Sequence, residues 1–205
     1  MASADVLLVH GIWNARHWLA PFAARLRRHG MAPKLFGYAS VVAGPEAGAE
    51  RLIDLLSRRP TPLLVGHSLG GLVILEALRR APDLPVDRVV CLGSPLNGSA
   101  VAAALGERRG LSWALGRSRD LLVRGCPPWT GRAEVGVVAG DHARGVGGLF
   151  TRMDGPSDGT VALSETRLPG IADHCVVPTS HTGLVLSDEA ARRAANFLRH
   201  GRFSD

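Results

Sequence analysis

Residues 63–75 read LLVGHSLGGLVIL and contain the turn that decides the fold of this chain. The apolar run Leu63–Val65 predicts a short buried strand, and Leu69–Arg80 predicts a helix. The pattern G-x-S-x-G centred on Ser68 lies between them. In this strand-to-helix context the pattern is typical of a sharp bend that exposes a serine nucleophile above a sheet. We therefore expect Ser68 to occupy a strained position at a helix N-terminus, which also favours developing negative charge.

Strands and helices alternate on both sides of this turn. The predicted strands are Val6–Val9, Pro33–Phe36, Leu63–Val65, Val86–Leu92, Val135–Ala139 and His174–Val177. The predicted helices are His17–His29, Pro45–Arg59, Leu69–Arg80 and Ser187–Arg199. The strands are apolar runs, as expected when helices cover both faces of a parallel sheet. We therefore predict one α/β domain over residues 1–205, with a mostly parallel sheet of about six strands.

The stretch 99–128 interrupts this alternation between the fourth and fifth predicted strands. It is too long for an ordinary connecting loop. It contains the apolar residues Leu111, Trp113, Leu115, Leu121, Leu122 and Val123. We predict that it forms a small helical insertion within the domain, which covers one edge of the site as a cap.

The composition is that of an ordinary globular protein, with 46% hydrophobic and 20% charged residues. The formal net charge is +6, and Lys34 is the only lysine among the basic residues. The arginines are scattered in pairs without a block of like charge, which favours a solvated surface over a nucleic-acid site. Three cysteines, Cys91, Cys126 and Cys175, are too few for a disulfide framework and have no zinc-ligand spacing.

The N-terminal residues carry no sign of a secretory signal. They lack a basic region followed by an apolar stretch of about 7–15 residues. No apolar run approaches the roughly 20 residues of a membrane span. The expectation is a cytoplasmic protein, unless a leader has been removed from the chain.

The motif His10-Gly11-Ile12 directly follows the first predicted strand. Acyl transfer needs backbone N–H donors for the oxyanion, and this is usually a large catalytic contribution. One donor is expected from Leu69, the residue after the serine, and the other from the loop after an early strand. Ile12 fits the second place. His10 is interpreted as a structural hydrogen-bonding residue rather than a catalytic one.

A serine nucleophile needs a histidine base and an acid that orients it. Asp158, in the turn-rich segment Ser157–Val161, follows the fifth predicted strand and gives the chain order Ser, Asp, His. Asp154 and Asp141 are rivals, because both also follow that strand, and Asp-Gly pairs are ordinary turn formers. Asp158 is the preferred acid.

The preferred base is His181, in the small polar segment Thr179–Gly183, which is predicted to be a loop. This segment follows the sixth predicted strand and precedes the last helix, where an imidazole can be aimed back at Ser68. His174 is a weaker candidate because it lies near the opposite end of the strand. His142 and His200 lack a matching context.

Five segments together carry a resemblance to a known family. They are Val9-His10-Gly11, Gly66-His67-Ser68-Leu69-Gly70-Gly71, Gly93-Ser94-Pro95, Asp158-Gly159-Thr160-Val161 and Ser180-His181. The combination resembles the lipase/esterase branch of the α/β-hydrolase family and is similar in size to the minimal bacterial lipases. The resemblance extends from Val6 to about Leu198. The insertion at residues 99–128 departs from the smallest members.

The resemblance implies a Ser-His-Asp hydrolase that cleaves carboxylic esters of small molecules or lipids without a metal or organic cofactor. Candidates for the wall of the substrate pocket are Trp13, His67, Pro95 and Leu96. Thioester or amide cleavage and acyl transfer by the same triad remain alternatives, as does a non-catalytic interaction module. Transient contact of the basic insertion with a membrane surface also stays open. The sequence leaves the oligomeric state undetermined.

Overall fold

A single sheet of six parallel strands organises the domain. The computed structural model describes residues 4–108, 112–143 and 155–204. The strands are β1 (Ala4–Val9), β2 (Met31–Phe36), β3 (Leu63–His67), β4 (Arg88–Leu92), β5 (Glu134–Gly140) and β6 (Asp173–Val177). They lie in the order β2-β1-β3-β4-β5-β6, and every neighbouring pair is parallel. The predicted single-domain α/β fold with about six strands is confirmed.

Helices cover both faces of this sheet. They are α1 (Ala20–Arg28), α2 (Gly44–Arg58), α3 (Leu69–Arg80), α4 (Ala100–Glu107), α5 (Arg119–Arg124), α6 (His181–Leu186) and α7 (Asp188–His200). Because side chains alternate across a strand, consecutive residues contribute to opposite cores. Leu7 of β1 belongs to the same buried cluster as Leu52 of α2. Leu8 belongs to the other cluster, with Phe22 of α1 and Phe197 of α7.

The first helix begins later than the sequence predicts. Residues Arg16–Leu19 form a 3-10 turn, and the α-helix starts at Ala20 instead of at His17. Pro21 provides the physical reason, because it lacks the N–H that would bond back to residue 17. Proline is tolerated only in the first turn of a helix, so Pro21 sets where α1 starts.

The insertion, defined as residues 99–128, is helical as predicted. It contains α4 and α5, with 3-10 turns at Ser112–Ala114 and Gly116–Ser118 between them. Leu105 and Leu121 are buried in the same core cluster as α2 and α3, so the insertion packs onto that side of the sheet. Leu111, which contributed to the prediction, lies outside the described residues.

Among the helices in the described ranges, none combines the length and the apolar character needed to cross a bilayer.

Candidate active site

The bend between β3 and α3 holds Ser68 in a strained conformation, with φ 55° and ψ −123°. A Cβ at Gly66 would lie 2.4 Å from the backbone nitrogen of Gly71. A Cβ at Gly70 would lie 2.2 Å from the carbonyl oxygen of Val9. Both distances are far inside contact range, so only glycine permits this close approach of strand and helix. The result is a sharp strand-to-helix bend, here called the elbow, with Ser68 at its apex.

The loop after β1 lies directly against this elbow. A Cβ at Gly11 would be 2.9 Å from the Cβ of Ser68, so glycine is required for the two segments to meet. The next residue, Ile12, has a backbone N–H that donates to no protein oxygen in the described part of the chain, and the same is true of Leu69. These are the two N–H groups that the sequence analysis predicts as oxyanion donors.

The ring of His10 holds the loop after β1 in place. Its ring is buried and stacks on Tyr38 at a centroid distance of 4.7 Å. Nδ1 donates to the carbonyl oxygen of Gly11 at 2.8 Å, while Nε2 accepts from the backbone N–H of Tyr38 at 3.3 Å. Burial lowers the pKa of His10, which keeps the ring neutral and suited to both bonds. This is the structural role that the sequence suggested.

The buried Asp158 forms a hydrogen-bonded pair with His181, which is partly buried. Nδ1 of His181 lies 2.7 Å from Oδ2 of Asp158. The other carboxylate oxygen accepts from the backbone N–H groups of Thr160 at 2.9 Å and Val161 at 2.7 Å. In addition, the backbone N–H of His181 donates to the carbonyl oxygen of Asp158 at 2.9 Å. These bonds fix the carboxylate and orient the imidazole at the same time.

His181 begins a helix, whereas the sequence predicted a loop at Thr179–Gly183. The side chain of Ser180 caps α6 by accepting from the N–H of Gly183 at 3.2 Å. A short helix is difficult to predict from six residues, because its stability comes from packing rather than from local propensity. Leu184 and Val185 provide that packing, since both are buried in the sheet core.

The rival acids and bases lie elsewhere. Asp141 and His142 are exposed at the end of β5, and Asp154 lies outside the described residues. Nε2 of His174 lies 2.9 Å from the Thr166 hydroxyl, at the N-terminal half of β6. His200 is the last residue of α7.

His67 supports the imidazole from the elbow side. Its ring is only 2% exposed and lies 4.8 Å from the His181 ring, centroid to centroid. Its Nε2–H donates to the His181 carbonyl oxygen at 3.3 Å. Burial, reinforced by the neighbouring His181, lowers the pKa of His67 to about 3, so the ring stays neutral.

Ser68 and His181 themselves share no direct hydrogen bond here; such contacts commonly tighten when substrate binds.

Sequence reasoning missed Gly93, which closes the other side of the pair. Its φ is 54°, and a Cβ there would lie 3.1 Å from both Oδ2 of Asp158 and Nδ1 of His181. Glycine therefore leaves room for the acid and the base to meet. The available signal was the segment Gly93-Ser94-Pro95 after β4, from which only Pro95 is predicted to lie at the site.

A narrow apolar cavity opens at Ser68. Its wall is formed by Ile12, Trp13, Pro95, Ser99, Val101, Ala102, Leu105, Leu115, Leu122, Thr160 and Val161. Two of the four pocket candidates, Trp13 and Pro95, are therefore in the wall. The other two, His67 and Leu96, are not: both are buried, and Leu96 is fully enclosed in the core. The cavity volume is about 50 Å³.

A family model described as the alpha/beta hydrolase family matches residues 6–202, which is nearly the whole chain. The chain belongs to this family. No functionally curated protein sequence matches this α/β hydrolase.

Solved structures of lipases and esterases are similar to this α/β hydrolase. The mature lipase BlEst2 of Bacillus licheniformis has a TM-score of 0.71 at 21% identity, covering 90% of this chain and 87% of the lipase. A metagenomic carboxyl esterase has a TM-score of 0.68 at 19% identity, covering 95% and 74%. An extracellular α/β-hydrolase from a Paenibacillus species has a TM-score of 0.60 at 16% identity, covering 96% and 98%. At these identities the likeness establishes the shared fold.

Proposed function

We propose that this α/β hydrolase cleaves carboxylic esters, with Ser68 as nucleophile, His181 as base and Asp158 as the acid that orients it. The observation that carries the proposal is the 2.7 Å bond between His181 and the buried Asp158, in a domain that holds Ser68 at φ 55° directly after β3. The names of similar structures, a lipase and a carboxyl esterase, favour the ester over other acyl donors.

Acylation follows from the positions of these groups. Nε2 of His181 accepts the Ser68 proton as the oxygen attacks the acyl carbonyl carbon. Asp158 stabilises the imidazolium that forms. The N–H groups of Ile12 and Leu69 bind the oxyanion of the tetrahedral intermediate, helped by the N-terminal dipole of α3. When the intermediate collapses, His181 returns the proton to the leaving alcohol.

Deacylation uses the same groups in reverse. His181 removes a proton from a water molecule, whose oxygen attacks the acyl-serine carbonyl. The second oxyanion occupies the same pair of N–H groups. Collapse breaks the bond to Ser68, releases the carboxylic acid and returns the proton to the serine. The residues of the chain account for every proton transfer in this sequence.

The nature of the pocket supports an acyl substrate. Apolar side chains make up most of the wall beside Ser68, and none of the wall residues is charged. A hydrocarbon chain gains about 0.8 kcal/mol for each methylene group removed from water. A charged or strongly hydrated substrate would lose its hydration without compensation in such a pocket.

Hydrolysis of 4-nitrophenyl acetate and butyrate tests the proposal. We expect Ser68→Ala to lower kcat by at least about 10⁴-fold while circular dichroism shows an unchanged fold, because no other group can form the acyl-enzyme. Ser57→Ala is the matched control, since this exposed serine bonds only to the α2 backbone. Retained hydrolysis by purified Ser68→Ala protein would reject the assignment. Activity confined to thioesters or amides would keep the triad and reject the ester.

A further inference from the structure

Three leucines of the insertion line the cavity at Ser68. They are Leu105 of α4, Leu115 between the two 3-10 turns, and Leu122 of α5. The remaining volume of about 50 Å³ is small compared with the roughly 150 Å³ of an apolar cavity that holds benzene. The insertion therefore leaves room for only a few carbon atoms beyond the reacting carbonyl group.

Hydrogen bonds hold this wall in place from three directions. The indole N–H of Trp13 donates to the carbonyl oxygen of Ala114 at 2.6 Å. A carboxylate oxygen of Glu165 accepts from the backbone N–H of Ala100 at 2.6 Å, at the start of α4. The backbone N–H of Arg117 donates to the carbonyl oxygen of Val41 at 3.2 Å. These contacts join the insertion to the loop after β1, to the 3-10 turn Leu163–Thr166 and to the segment before α2.

The cavity lies on the acyl side of Ser68. The leaving alcohol must be next to His181, because that imidazole supplies its proton. His181 is not part of the cavity wall, which is formed by Ile12, Trp13, Pro95, residues of the insertion, and Thr160 and Val161. A substrate whose oxyanion faces Ile12 and whose alcohol faces His181 therefore extends its acyl chain toward the leucines.

We propose that Leu105, Leu115 and Leu122 set the acyl length and restrict this enzyme to short acyl groups. The inference rests on the proposed ester hydrolysis and names its substrate class. Each methylene that fits should raise kcat/KM about fourfold, which is the equivalent of about 0.8 kcal/mol. Once the chain reaches the leucines, a further methylene has no space and the gain becomes a loss.

A series of 4-nitrophenyl esters from acetate to decanoate measures the limit. We expect the wild-type kcat/KM to peak at or below butyrate and to fall at least about tenfold by octanoate. Leu122→Ala should raise the octanoate-to-butyrate ratio at least about tenfold. Leu121→Ala is the matched control, because the neighbouring Leu121 is equally buried in the insertion core but is not in the cavity wall.

A second variant changes the cavity in the opposite direction. Ala102→Leu adds bulk to the wall from α4 with a good helix former, so we expect butyrate to lose more activity than acetate. If Leu122→Ala does not fold, this variant alone decides the inference. A series of acetate esters with longer alcohols should respond little to either change. A larger response to alcohol length would place the alcohol in the cavity and overturn the proposal.

The two proposals fail in different ways. If Ser68-dependent hydrolysis is present but Leu122→Ala and Leu121→Ala share one chain-length profile, the leucines do not set the limit and the ester hydrolase stands. If the wild-type protein prefers octanoate, the short-acyl inference is wrong. If no ester in either series is hydrolysed, the proposed function itself is overturned, and the inference with it.

Discussion

The elbow and the insertion differ in what holds them together. At the elbow, glycine allows backbone to meet backbone: a Cβ at Gly70 would lie 2.2 Å from a carbonyl oxygen. In the insertion, a Cβ at Gly106 would lie 2.3 Å from the guanidinium end of Arg119, a flexible side chain. The elbow therefore tolerates almost no change. The insertion meets backbone at Gly116, where a Cβ would lie 2.4 Å from the carbonyl oxygen of Val41, but its helix α4 can adjust at Gly106. We propose that the chemistry belongs to the first region and the choice of substrate to the second.

The largest expected contrast comes from two aspartates, one in the proposed triad and one in the insertion. Asp158→Asn should lower kcat for 4-nitrophenyl butyrate by about 10³–10⁴-fold, because an amide cannot hold His181 in the correct tautomer or stabilise the imidazolium. Asp120→Asn, on the exposed surface of α5, should leave kcat unchanged. An Asp158→Asn enzyme within tenfold of wild type would remove Asp158 from the triad.

Substitution of Gly70 and of Gly106 by alanine should change the free energy of unfolding by different amounts. Gly70→Ala should reduce the free energy of unfolding by about 3 kcal/mol or more, since a backbone carbonyl cannot move aside. Gly106→Ala should change it by less than about 1 kcal/mol, because Arg119 can rotate away and alanine favours the helix. Urea unfolding followed by circular dichroism measures both. Equal losses would contradict the contrast between backbone and side-chain contacts.

A smaller effect is expected from pH. The pKa of His67 is about 3 in the folded protein and about 6.5 in an unfolded chain, so only the unfolded chain takes up this proton between those values. The contribution of His67 to the free energy of unfolding should therefore be fully present above pH 6.5. It should fall by about 1.4 kcal/mol per pH unit as the pH decreases from there toward 3. Burial lowers the pKa of His10 and His174 too, which adds to the same trend.

His67→Gln isolates the contribution of His67. Urea unfolding at pH 5, 6 and 7 should show a slope smaller by about one proton than in the wild-type protein. The insertion, residues 99–128, has no histidine, so no histidine of the insertion contributes to this pH dependence. An unchanged slope would mean that His67 is protonated in the folded protein, contrary to its burial.

The elbow side was predictable because its signals are local. The apolar run of β3, the glycines around Ser68 and the helix that follows occupy one continuous segment, and the sheet formed as expected. Asp158 and His181, chosen by chain order, lie within hydrogen-bonding distance. The predicted start of α1 at His17 was wrong, because Pro21 is itself a signal that a helix begins just before it.

The cavity wall could not be predicted in the same way. Trp13 and Ala114 are 101 positions apart in the chain, and nothing in the sequence marks them as partners. Which of the adjacent Leu121 and Leu122 faces the cavity depends on how α5 lies on α3. The prediction of His67 as a wall residue was wrong, because the alternation of side chains in β3 directs it toward His181.

Covalent labelling of the intact protein tests the central claim most directly. A fluorophosphonate probe reacts with a serine only where a base and an oxyanion hole activate it. We predict that mass spectrometry will show one adduct, on the peptide containing Ser68, and that neither Ser68→Ala nor denatured protein will be labelled. An adduct on another serine, or a Ser68 that stays unlabelled in folded protein, would contradict the account.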